Sequence, residues 1–245
     1  MNSLAIVLAA GKGTRMESDL PKVLVPACGR PLVEYVLDAI NAAGVQNIIV
    51  VVGYKSELVR EALKDRENVQ FVEQTEQLGT GHAVQVCMEH LTDFDGAVMV
   101  LTGDSPLTQT DSLKQLLDLY QSDQPACVMG TLKKEDPAGM GRIVRDEQGE
   151  FLAIVEHKDA SEEQLKINEV NMSTYLFDCK KLVPTLGKLQ NNNKQQEFYI
   201  TDCPGILKEQ GEDVRALPVL KPCEALSINN LSDLAAVEEE MRKAT

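Results

Sequence analysis

An apolar run near the start of the chain, Leu4–Leu8, empties into a turn of small residues, Ala9-Ala10-Gly11-Lys12-Gly13-Thr14-Arg15. The run is short and rich in branched side chains, which predicts a strand buried on both faces. Gly11 and Gly13 let the backbone curl close to a ligand and aim several N–H groups at one point. Lys12, Arg15 and Lys22 bring positive charge to the same place. A buried strand that runs into a basic, glycine-containing turn is built to hold phosphate. The spacing excludes two common loops of this kind. Met16 stands where a dinucleotide G-x-G-x-x-G needs its third glycine, and G-x-x-x-x-G-K-[ST] does not fit.

After the turn, the chain settles into a rhythm. Pro31–Ala43 carries apolar residues at helical spacing and Gly44 ends it; Asn47–Gly53 is a second buried strand. Ser56–Leu63 predicts a short helix and Val69–Val72 a third strand. Strand, helix, strand, helix, strand implies an α/β fold with a doubly wound, mostly parallel sheet, Rossmann-like, whose ligands sit beyond the carboxyl ends of the strands. A further central strand, Ala97–Leu101, ends in Thr102-Gly103-Asp104, which aims a carboxylate at that crevice. Between them, Gln74 to Thr80 leads through Gly79 and Gly81 into a helix expected to run to about His90. Gln74 offers a donor and an acceptor, which suits the edge of a pyrimidine. Asp111–Tyr120 predicts a helix and Ala126–Leu132 a strand.

Beyond residue 132 the pattern changes. Gly139–Arg145 and Phe151–Glu156 read as a hairpin, Glu156–Ala160 as the opening of a charged helix, and Asn168–Phe177 as a strand. Val183–Leu189 predicts a helix, Leu189–Gln196 a polar loop, and Glu197–Asp202 the approach to another helix. Val214–Leu220 reads as a late strand and the residues from about Ser232 as a closing helix. The 245 residues suit one domain: a nucleotide-binding part over about 1–132, a small β-rich lobe over about 133–227, and a helix over 228–245.

Net charge narrows the partners. At −14 the chain is a poor match for nucleic acid or an anionic membrane. It would also repel a nucleoside triphosphate unless local cations and a divalent metal offset the field. No apolar run approaches the ~20 residues of a membrane span, and no basic leader precedes the first strand. The six cysteines have no C-x-x-C spacing and mostly sit beside apolar residues, which predicts free buried thiols and a cytoplasmic protein.

The string Leu8-Ala9-Ala10-Gly11-Lys12-Gly13-Thr14-Arg15-Met16, followed by Asp19-Leu20-Pro21-Lys22, resembles the signature of sugar-nucleotide pyrophosphorylases, the nucleotidyltransferases of the glycosyltransferase A type. The likeness is greatest to the uridylyltransferase domains of bifunctional enzymes that make UDP-N-acetylglucosamine. It covers nearly the whole chain, without the acetyltransferase half, and its motifs stand in order. The resemblance implies a nucleotide site of Leu8 to Arg15 with Gln74, Gly79 and Thr80 on uracil. It implies catalytic roles for Arg15 and Lys22, and Mg²⁺ held by Asp104 and Asn229. Gly141, Glu156 and Asn171 would touch the sugar. The implied substrates are UTP and N-acetylglucosamine 1-phosphate. His157 is not needed as a base, because a sugar phosphate is already anionic. The chain departs from the family pattern at Thr102, where Tyr is usual, at Asn171-Met172-Ser173, where Asn-Thr-Gly is usual, and at Ser227, where Gly is usual.

Three other readings fit parts of the pattern. One is the same chemistry with glucose 1-phosphate, TTP or CTP. A catalytically silent nucleotide-sugar-binding relative is disfavoured by the intact Arg15, Lys22, Asp104 and Asn229. A nicotinamide-dependent oxidoreductase is disfavoured by Met16 and by the lack of an acidic residue at the tip of the second strand.

Overall fold

A computed structural model describes residues 2–13, 18–226, 228 and 230–243. In chain order the elements are β1 (Ser3–Ala9), β2 (Pro26–Ala27), β3 (Arg30–Pro31), α1 (Leu32–Ala42), β4 (Asn47–Val52), α2 (Ser56–Ala62), β5 (Val69–Glu73), α3 (Thr80–Gln85), α4 (Met88–Leu91), β6 (Ala97–Thr102) and α5 (Thr110–Asp123). There follow β7 (Cys127–Lys133), β8 (Arg142–Arg145), β9 (Phe151–Val155), α6 (Glu162–Leu165), β10 (Glu169–Asp178), α7 (Cys179–Leu186), α8 (Asp202–Glu209), β11 (Val214–Leu217) and α9 (Leu231–Lys243).

The main sheet runs β11-β7-β10-β6-β1-β4-β5, with the β8–β9 hairpin joined to it through β10. β4, β1, β6 and β5 are parallel, as the strand–helix rhythm requires, and β10 enters antiparallel between β6 and β7. The continuous apolar run of β1 has its reason here. Leu4 and Ile6 pack on one side with Val84, Leu182 and Phe177, while Ala5 and Val7 pack on the other with Val33, Leu37 and Leu113. Alternate residues face opposite layers, and both layers are covered by helices. Burying each such side chain stabilises the fold by about 1.5–3 kcal/mol, so neither face tolerates a polar residue.

Register builds the crevice. Leu8 pairs with Thr102 and Ala9 with Val52, while Val52 pairs with Glu73. The segments that begin at Ala10, Gly53, Gln74 and Gly103 therefore leave the sheet at one edge.

Several expected boundaries move. The helix expected from Thr80 to His90 is two pieces, α3 and α4. The Cys87 and His90 N–H groups reach carbonyls only three residues back, and this tightening around the buried Cys87 breaks the helix. No helix opens at Glu156: the Asp159 and Ala160 N–H groups both turn back to the Glu156 carbonyl. The helix starts after Ser161, whose hydroxyl and Gln164 form a reciprocal capping box. α7 begins four residues before the expected Val183, because the Asp178 carboxylate caps it through the Lys181 N–H. β11 stops at Leu217, since Pro218 has no N–H to continue the ladder. All six cysteines are free; Cys87, Cys127, Cys179 and Cys203 are buried, Cys28 is exposed and Cys223 is half-buried.

Candidate active site

The glycine turn fixes a lysine. Gly13 has φ +65°, and a Cβ there would lie 2.6 Å from Lys22 Cβ, so the backbone packs directly on the lysine stem. Lys22 begins a short 3-10 turn whose next residues, Val23 and Leu24, are buried. Anchored on both sides, its Nζ lies 2.6 Å from Asp104 Oδ2. Asp104 is set by its neighbour: the Gly103 N–H donates to the Leu8 carbonyl, closing β6 against β1 just before the carboxylate. The second Asp104 oxygen takes no hydrogen bond among the described residues.

Beside this pair is a cavity of about 280 Å³. Of the residues expected to bind nucleotide or metal, Leu8, Ala10, Gly11, Lys22, Gln74, Gly79, Thr80 and Asp104 line it. Ala9 is buried in the sheet. Lys12 is exposed, and its ammonium lies over the Tyr54 ring, 5.4 Å from the centroid. Thr14, Arg15 and Asn229 lie outside the described residues. Ile228, next to Asn229, is fully buried with Val25, Ala27, Leu32 and Leu107, and Leu107 follows Asp104 by three residues. Glu224 anchors the same approach, accepting hydrogen bonds from the Gln109 N–H, Ser112 Oγ and the Lys221 N–H.

The base segment is held from two sides. Gln77 Nε2 donates to the Ala10 carbonyl at 3.1 Å, and the Tyr54 N–H donates to the same carbonyl. On the far side lies Glu197–Ile200. The Phe198 N–H donates to the Leu78 carbonyl, the Gly81 N–H to the Phe198 carbonyl, and the Ile200 N–H to Thr80 Oγ1. Gly79 has φ +111°, and a Cβ there would come within 2.5 Å of the Phe198 carbonyl oxygen, so only glycine fits. Gln77 and Glu197 also line the cavity, although their sequence pattern alone assigns them no role. The polar run Gln74–Gln77 and the Glu197–Asp202 motif are the signals that point to them.

Gly141, Glu156 and Asn171 come together. The Asn171 N–H donates to the Gly141 carbonyl, and a Cβ on Gly141 would stand 3.6 Å from both Asn171 Cβ and Glu156 Oε1. Asn171 Nδ2 donates to the Tyr175 hydroxyl at 2.7 Å, and its Oδ1 accepts from the Ser173 N–H. β10 slips register between Asn171 and Tyr175, with Ser173 at φ +53°. Glu156 sits among carboxylates: burial pushes it up, and Asp202, Asp159 and Glu197 add to the rise. Burial and then Asp159 push Asp202 up to about 6. The His157 Nδ1 is buried and has no hydrogen-bond partner among the described residues.

A family model described as MobA-like NTP transferase domain matches residues 5–201. The chain belongs to this family. As an NTP transferase domain it is an enzyme of the nucleotidyltransferase class, the class expected from its motifs. Among curated relatives, the Bifunctional protein GlmU of Streptococcus uberis is 44% identical over 243 residues, which is 99% of this chain and 53% of that protein. The Bifunctional protein GlmU of Clostridium acetobutylicum is 43% identical over the same shares. The NTP transferase chain thus spans about half the length of these relatives. Among solved structures, a UDP-glucose pyrophosphorylase complexed with UDP-glucose matches with a TM-score of 0.78 at 20% identity, covering 100% of both chains. That match confirms the mostly parallel, helix-flanked sheet. Among the described residues no helix is long and apolar enough to cross a membrane, and no cluster of three or more His, Cys, Asp or Glu forms a metal site by itself.

Proposed function

We propose that this domain transfers a uridylyl group from UTP to N-acetylglucosamine 1-phosphate, giving UDP-N-acetylglucosamine and pyrophosphate. The Lys22–Asp104 pair carries the reading. It sets a cation beside a hard oxygen donor at the rim of a cavity that also holds the glycine turn and an amide-bearing segment. The identity with GlmU proteins over 99% of the chain supports the N-acetylglucosamine acceptor. Glucose 1-phosphate is the acceptor to set against it, because the fold neighbour holds UDP-glucose.

In the proposed reaction an oxygen of the sugar phosphate attacks the α-phosphorus of UTP in line, the bond to the bridging oxygen breaks, and pyrophosphate leaves. The nucleophile is already an anion, so positioning and charge do the catalysis. Backbone amides around Gly11 and Gly13, with Lys12, Thr14 and Arg15, hold the leaving phosphates. Lys22 meets the α-phosphate, its ammonium held in place by Asp104 and by Gly13 against its stem. Asp104 and Asn229 would hold Mg²⁺; the Asp104 oxygen that takes no hydrogen bond among the described residues suits a hard cation. When bound, the ion would supply Lewis-acid neutralisation of the phosphate charge. Gln74, Gly79 and Thr80 read the base. Gly141, Glu156 and Asn171 hold the sugar, with Glu156 as a carboxylate acceptor and Asn171 as an amide that both donates and accepts.

The test is pyrophosphate release from UTP across a panel of sugar 1-phosphates, with and without Mg²⁺. Lys22→Ala and Asp104→Ala are each expected to lower turnover by about 10²–10³ while the protein stays folded. Near wild-type turnover in either variant, or activity undiminished by chelation, would overturn the assignment.

A further inference from the structure

Gln74 is buried, 4% exposed, yet lines the cavity, and its amide is already half committed. Its Nε2 lies 3.0 Å from the Gly79 carbonyl oxygen. A carbonyl can only accept, so the nitrogen of the amide must be on that side. The same Nε2 lies 3.1 Å from Nδ1 of His82, in the first turn of α3. With one Nε2 proton on Gly79, the second meets Nδ1, which then accepts. Both amide protons are used inside the protein. The Gln74 oxygen takes no hydrogen bond from the described residues and is not sealed away from solvent.

We infer that His82 is a positioning residue that fixes the Gln74 amide with its oxygen toward the cavity, so that the site selects a base carrying an N–H on its pairing edge. Uracil and thymine carry that donor at N3. Cytosine has a bare acceptor there, and two acceptors facing each other leave both unpaired at the cost of their desolvation. This rests on the proposal that the cavity takes a pyrimidine triphosphate with Gln74 at its base. Gly79 alone favours the same orientation; His82 removes the remaining freedom by giving the second proton a partner. In the sequence Gln74 is ambivalent, a donor and an acceptor at once. The fold makes it an acceptor.

The test is calorimetric binding of UTP, CTP and 3-methyluridine 5′-triphosphate, in the presence of Mg²⁺, to the wild type, His82→Ala, His82→Asn and Gln74→Ala. The wild type is expected to prefer UTP and to bind the N3-methylated nucleotide no better than CTP. In His82→Ala the preference for UTP over CTP should fall about three- to tenfold, the worth of one hydrogen bond. His82→Asn puts an amide oxygen where Nδ1 stood and should restore it. A mere loosening of α3 would weaken both nucleotides alike and leave the ratio unmoved. If Gln74→Ala abolishes the preference while His82→Ala retains it in full, the role of His82 is refuted and the base reading survives. Gln74→Ala with an unchanged preference refutes the base reading, and this inference with it. Tight binding of the N3-methylated nucleotide refutes the acceptor orientation without recourse to any variant.

Discussion

Replacing Glu169 by Gln isolates the tie that holds the β8–β9 hairpin to the sheet. Glu169 Oε1 accepts from Thr131 Oγ1 at 2.6 Å and Arg145 Nη2 at 2.6 Å, and Oε2 accepts from Arg145 Nε at 2.8 Å. Arg145 also donates to the Gly149 and Ala216 carbonyls, so one side chain joins β8, its turn, β10 and β11. An amide keeps the shape but gives up the charge and turns one acceptor into a donor facing a cation. Removing one partner of a buried pair costs about 3–5 kcal/mol. The Arg145 side chain is 27% exposed and keeps its two carbonyls, which brings the expected loss down to about 2 kcal/mol. For a chain of this length that is about 4–8 °C in Tm. Burial alone would push Glu169 up, but hydrogen bonds from Arg145 and Thr131 outweigh it and hold the carboxyl below its ordinary 4.5. A depressed carboxylate stabilises the fold above its unfolded pKa, and the benefit disappears as pH falls through the folded value. The gap between wild type and variant should therefore be full at pH 7.5 and shrink below about pH 4.5. Thermal melts followed by circular dichroism from pH 7.5 down to 3.5 measure it. A Tm within 1 °C of wild type at pH 7.5, or a deficit that does not change with pH, would refute the reasoning. Because the hairpin carries Gly141 and Glu156, the variant should also raise KM for the sugar phosphate more than KM for UTP.

Asp202→Asn should act with the opposite sign. Burial raises Asp202 to about 6, so its protonated form favours folding; that contribution is complete below its ordinary 3.8 and is lost as pH rises through about 6. The full shift would correspond to about 3 kcal/mol; screening by solvent and the loss of a negative charge in the first turn of α8 reduce this to about 1 kcal/mol. The variant should melt higher than wild type at pH 7.5 and match it at pH 4, and a pH-independent difference would refute this. Ser173→Gly removes a side chain from a left-handed position and should stabilise by up to about 1 kcal/mol in urea titration, whereas a clear loss would mean the Ser173 side chain makes a needed contact.

The parallel half of the sheet was legible because β1, β4 and β6 are buried on both faces, which leaves runs of branched residues that no surface helix would carry. Boundaries were less so wherever a side chain from outside the periodic stretch set them. Asp178 starts α7 ahead of its apolar residues, and Ser161 with Gln164 delays α6 past the charges that suggested a helix. The departure at Ser173 was visible as a missing glycine, but its meaning needed the register slip in β10: the position demands a left-handed backbone, and Ser173 supplies it under strain.

For the candidate site, the residues that come from one motif at a strand end were readable, since a carboxyl-end position already says which way a side chain faces. The contacts that such residues make with a distant segment were not. Thr80 and Ile200 are 120 residues apart, yet the Ile200 N–H ends on the Thr80 hydroxyl, and Gly79 is glycine because of Phe198. The same strip carries Thr201 and Asp202 to the Glu156 carboxylate. One run of six residues thus borders the segment proposed to read the base and the group proposed to hold the sugar. The physical reason to keep Glu197–Asp202 intact is this shared backbone, which packs on Gly79 and Thr80 at one end and enters α8 beside Glu156 at the other.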